Sequence, residues 1–155
     1  MIAQTRASLF VTAVCLMTPI TMWGQDQLKV KAMRAAPRQT SLYEITFTTT
    51  ETLAADAEIR VMFPSTYDLG GFEIAGSTTI NGGFTFKREG QRVTIQRTGL
   101  GSSIPRGQKV SLQLGLIKNP PLFANAEPVR IEVLHSRKAT TAAKAFTSSV
   151  EFQAR

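Results

Sequence analysis

The side chains that could carry covalent chemistry are few, and none has beside it the partners such chemistry needs. A Ser-His-Asp arrangement requires a histidine next to a nucleophile and an orienting acid, and the 155-residue chain has a single histidine, His135. His135 keeps the two-residue parity of Val129, Ile131 and Val133, which puts it at the core edge where a strand ends. The single cysteine, Cys15, sits inside an apolar N-terminal run. Glycoside hydrolysis takes two facing carboxylates, whereas Asp26, Asp56 and Asp68 are scattered, and Glu44, Glu58 and Glu132 alternate with apolar neighbours like solvated strand faces. Several histidines or cysteines for zinc, or an acidic loop for calcium, are missing. The glycines of residues 70–83 lack the lysine and following helix of a phosphate-cradling loop. The expectation is no catalytic residue, no metal and no cofactor, with a small exported hydrolase as the lesser alternative.

Binding needs less. A two-residue loop at Glu89-Gly90 would pair Phe86 with Val93 and Phe84 with Ile95, and would set Lys87 opposite Arg92 with Arg88 alongside. Like charges facing each other are relieved by an anion, so Lys87, Arg88 and Arg92 are the candidate anion-binding residues; the plainer alternative is that the long side chains splay into solvent. The glycine-rich stretch 65–83 is the candidate recognition loop, through Tyr67, Asp68 and Phe72. Tyr43, in phase with Ile45 and Phe47, belongs to the core, which leaves Tyr67 as the freer ring.

These residues are delivered by an export pattern and a run of strands. Arg6 precedes an uncharged apolar stretch, residues 7–23, followed by Gly24 and Gln25, the three parts of a signal helix removed near Gly24. Residues 25–155 then form one domain, without cysteine or tryptophan and therefore without disulfides, and with no later transmembrane span. Arg6 leaves with the leader, which lowers the net charge from +7 to +6. That excess favours anionic surfaces such as acidic glycans or lipid headgroups, while export sets nucleic acid aside.

From Leu28 onward the apolar residues recur with period two. The rows are Leu28/Val30/Ala32, Tyr43/Ile45/Phe47, Ile59/Val61/Phe63, Val110/Leu112/Leu114/Leu116, Val129/Ile131/Val133 and, to close, Phe146/Val150/Phe152. Pro64 and Pro120-Pro121 stop strands because proline has no amide to donate. Between them, residues 72–75 and 78–80 are long enough for short strands at most. The pattern predicts an all-β, antiparallel β-sandwich of about seven to nine strands.

The run Tyr43-Glu44-Ile45-Thr46-Phe47-Thr48-Thr49, then Ile59-Arg60-Val61-Met62-Phe63-Pro64 and Tyr67-Asp68, resembles the opening of immunoglobulin-like modules in microbial cell-surface proteins. Leu116-Ile117-Lys118-Asn119-Pro120, followed by residues 129–133 and Ser136, is similar to their later strands. The resemblance implies a secreted structural or adhesive module and transfers no catalytic residue. The partners it implies are other surface or matrix proteins, or an anionic surface polymer, with self-assembly through edge strands as a further route.

Overall fold

The computed structural model describes residues 28–122, 128–134, 136, 144–148 and 150–152. The leader, its cleavage point and His135 lie outside the described residues. The strands in chain order are β1 (Leu28–Ala32), β2 (Thr40–Thr48), β3 (Glu58–Met62), β4 (Ala75–Gly76), β5 (Phe84–Glu89), β6 (Arg92–Arg97), β7 (Lys109–Lys118), β8 (Val129–Leu134), β9 (Lys144–Ser148) and β10 (Val150–Phe152).

Because every second residue of β1, β2, β3 and β8 is apolar, each presents one buried face, and burying those faces together requires two sheets. One sheet has the order β10-β1-β2-β7-β4 and the other β5-β6-β3-β8-β9. Strands β1-β2-β7-β4 against β3-β8-β9 reproduce the four-against-three immunoglobulin arrangement, and the β5–β6 hairpin is added on the free flank of β3. The core lies between the sheets, with Tyr43, Ile45, Ile59, Val61, Ile95 and Leu112 wholly buried. Each such side chain contributes roughly 1.5–3 kcal/mol.

Ten strands exceed the expected number for two local reasons. The last strand changes sheet, pairing antiparallel with β8 as β9 and parallel with β1 as β10. In addition, two residues of the long connection pair with β7 as β4, so the short strands expected at 72–75 and 78–80 reduce to Ala75–Gly76.

The hairpin register differs from the expectation by one loop position. Glu89 pairs with Arg92, Phe86 with Ile95 and Phe84 with Arg97, so the loop is Gly90-Gln91. A Gly-X loop of the II′ kind needs positive φ at its first residue, and Gly90 supplies it at φ 58, leaving Glu89 in the strand.

The inward row of β7 also breaks. Val110, Leu112 and Leu114 are buried, but Leu116 is 40% exposed and Ile117 is buried instead. Between Leu114 and Ile117 the strand spends one more residue than its partner spends between Ser41 and Tyr43, a β-bulge. The extra residue shifts parity, and Leu116 takes the left-handed conformation, φ 59.

Candidate functional site

The long connection between β3 and β5 is a strap along the outer edge of β7. The Asp68 and Lys118 backbones exchange two hydrogen bonds (3.2 and 2.9 Å), and the Gly115 amide donates to the Ile74 carbonyl (2.9 Å). Further along, the Ser77 hydroxyl donates to the Ser111 carbonyl (2.5 Å), and the Ser111 amide donates to the Thr79 hydroxyl (2.8 Å). Edge groups that would otherwise template another chain are thereby satisfied.

Holding the strap down takes its aromatics inward. Tyr67 is 2% exposed and packs edge-on to Tyr43 (centroids 5.9 Å) and tilted against Phe63 (5.5 Å). It is therefore no free ring for recognition: the turn after Pro64, in which the Tyr67 amide donates to the Pro64 carbonyl (3.1 Å), aims it into the sandwich. The alternation of apolar Tyr67 and Leu69 with Asp68 and Gly70 is the sequence signal that marks it as core. Phe72 is also buried, under Phe86 of β5 (5.3 Å, interplanar 84°). Asp68 is exposed, and its carboxylate accepts from the Gly70 amide (2.8 Å), closing its own turn. Of the three recognition candidates, only Asp68 faces solvent.

The register also removes the like-charge pairing expected in the hairpin. Lys87 stands opposite Thr94, Arg88 opposite Val93, and Arg92 opposite Glu89. The Lys87 ammonium lies 2.6 Å from the Glu89 carboxylate. That hydrogen bond holds Lys87 above its ordinary range and Glu89 below its own. Glu89 thus sits between Lys87 and Arg92, and the hairpin's positive charge is partly cancelled within the hairpin itself.

Sequence reasoning missed Arg97, which keeps the inward parity of Val93 and Ile95 and is 2% exposed. One guanidinium nitrogen donates to the Leu53 and Ala54 carbonyls (3.2 and 2.6 Å), the other to those of Asn81 and Ser102 (3.3 and 2.7 Å). Arg97 is the clasp joining three loops at one end of the sandwich. Burial lowers its pKa, opposed by the nearby charge of Asp56. An arginine in an inward row was the available signal.

Apolar side chains also face solvent beside the strap. Ile74 is 50% exposed and Phe86 44%, next to the outward Leu116. Gly115 makes room for Ile74, since a Cβ there would meet the Ile74 Cβ at 2.9 Å. Beyond β5 no further strand is present among the described residues. Also among the described residues, no three His, Cys, Asp or Glu side chains group as a metal site, and no helix is long and apolar enough to cross a membrane.

No protein-family model and no curated protein matches the chain. Among solved structures, the chain is similar to the N-terminal domain of an adhesin of Streptococcus gordonii (10% identity, TM-score 0.46), over 82% of this chain and 33% of that one. It is similar in the same measure to the full-length major pilin of Corynebacterium diphtheriae (14%, TM-score 0.46; 81% and 33%). A third likeness is to an uncharacterised immunoglobulin-like protein of Nocardia farcinica (17%, TM-score 0.40; 77% and 96%). The chain spans a third of the adhesin and pilin chains. The class defined by the strand order is an immunoglobulin-like β-sandwich.

Proposed function

We propose that this chain is an exported, non-catalytic sandwich that works by association, as a structural or interaction module at the cell surface, in the periplasm or in an extracellular matrix. The observation that supports this reading is the flank where Ile74 and Phe86 stand exposed beside the open edge of β5. An edge strand next to apolar side chains is a ready site for adding a partner strand, and Lys87, Arg88 and Glu89 at one end of β5 blunt indiscriminate pairing.

Cell fractionation, N-terminal sequencing and crosslinking of the native protein test it. The expected result is a chain beginning near Gln25, outside the cytoplasm and crosslinked to a surface or matrix protein. Ile74→Lys, at the half-exposed position, should lower the crosslinked yield on the order of tenfold, as removal of a central apolar anchor does, while the thermal midpoint holds. A chain kept inside the cell would overturn the reading. So would turnover of an ester, glycan or peptide that is lost on replacing one carboxylate.

A further inference from the structure

The outward face of the β1-β2-β7 sheet is a second surface, away from the strap flank. Because Leu28, Val30, Ile45, Phe47, Val110 and Leu112 point inward, the residues between them point out. Lys29 and Lys31 of β1 thereby stand across Thr46 and Glu44 of β2, and these across Ser111 and Gln113 of β7. Lys109 projects from the start of β7, in register with Thr48.

This face is a cleft rather than a plane. The strap turns at residues 77–80, and the hydrogen bonds of Ser77 and Thr79 to the Ser111 backbone pin it as a wall along β7. The half-open space is about 440 Å³ and is lined by Lys29, Lys31 and Lys109 among others. Glu44 lies on the floor, held by the Ser111 hydroxyl, which donates to its carboxylate (3.0 Å). From strand geometry, Lys31 and Lys29 lie roughly 7 Å apart along β1, and Lys109 lies two strands over, roughly 12 Å from Lys29.

We infer that this cleft binds an acidic polysaccharide, a chain in which carboxylate- or sulfate-bearing sugars are separated by neutral hydroxyls. Ammonium groups spread over this face suit anionic groups spaced along an extended polymer. The floor carboxylate accepts a sugar hydroxyl and repels an anion placed directly on it. A polymer whose charges follow one another with no neutral hydroxyl between them, such as polyphosphate, would set an anion over Glu44. An anionic bilayer would also attract these lysines, and the vesicle arm of the test separates it from the polysaccharide. The cleft shares no residue with the Ile74–Phe86 flank, so it stands independently of the association proposed above.

The test is retention of the purified protein on immobilised polygalacturonate, with dextran, polyphosphate and phosphatidylglycerol vesicles as comparisons. Retention on polygalacturonate should exceed that on the other three and fall steeply with salt. Lys31→Ala with Lys109→Ala should weaken it on the order of tenfold, the worth of two solvent-screened charge contacts. Lys87→Ala with Arg88→Ala in the hairpin should leave it within about twofold, because that pair lies outside the cleft. Glu44→Gln should narrow the preference for polygalacturonate over polyphosphate. Equal retention on dextran, preference for the vesicles or polyphosphate, dependence on the hairpin pair, or an unchanged preference in Glu44→Gln would each overturn the assignment.

Discussion

Arg97 concentrates more consequence than any other single residue. Its two terminal nitrogens donate to carbonyls from three loops, and the side chain itself is almost wholly buried. Removing the donors costs these four hydrogen bonds; the Leu53 and Ala54 carbonyls keep the Ile104 and Ala57 amides and those of Asn81 and Ser102 belong to exposed residues, so each lost bond is worth about 0.5–1.5 kcal/mol. Arg97→Met should therefore lower stability by about 2 kcal/mol or more, read as a shift in urea midpoint at constant slope. Arg97→Lys should recover little, because one ammonium cannot reach both carbonyl pairs. A loss under about 1 kcal/mol would mean that the loops close without the clasp. The same side chain shows where residue-level reading fails. Parity placed Arg97 inward, but a charge in an inward row was not credited as core, since its partners come from distant turns that no local pattern announces.

Elements were legible where period-two alternation met a turn with one possible geometry. The rows of β1, β2, β3 and β8 were readable from side-chain type alone. The β5–β6 faces were legible too, but their register was not: Glu89-Gly90 and Gly90-Gln91 give the same inward residues and differ only in which residue must accept positive φ. Only glycine takes it without strain, so Gly90 leads the loop. Gly90→Ala should destabilise the protein by about 1 kcal/mol, and Gly90→Asn by less, since asparagine tolerates the left-handed region. Equal loss in both variants, measured by chemical denaturation, would point to a different turn. The β7 bulge was illegible because Leu116 is apolar and in phase, and only the inserted residue between Leu114 and Ile117 turns it out. The recognition loop was misread for a related cause: glycine content suggested freedom, whereas the edge of β7 gives that segment partners along its length.

At the scale of the whole molecule, the two tyrosines report on global unfolding. Both are buried in the core, and the chain contains no others. Burial raises the Tyr67 phenol to about 12 and Tyr43 beyond it, with the neighbouring Tyr67 adding to the shift of Tyr43. In the unfolded chain both ionise near pH 10. Above that pH the unfolded state holds fewer protons than the folded one, so stability is intact below about pH 10 and falls as pH rises towards about 12. With both phenols contributing, the slope reaches about 2.7 kcal/mol per pH unit. Tyrosinate absorbance should rise together with the loss of β-sheet circular dichroism. Tyrosinate forming near pH 10 while the sheet signal persists would show that at least one ring is open to solvent.

The parallel pairing of β10 with β1 has a mechanical meaning. Val30, Lys31 and Ala32 are in register with Val150, Glu151 and Phe152, and the two strands run in the same direction. Tension drawn through the two ends of the domain therefore slides these strands lengthwise past each other, loading every rung at once instead of peeling them open singly. A module anchored at one end and tugged at the other would resist by shear, so the rate at which that short pair ruptures would set how long the sandwich survives under load.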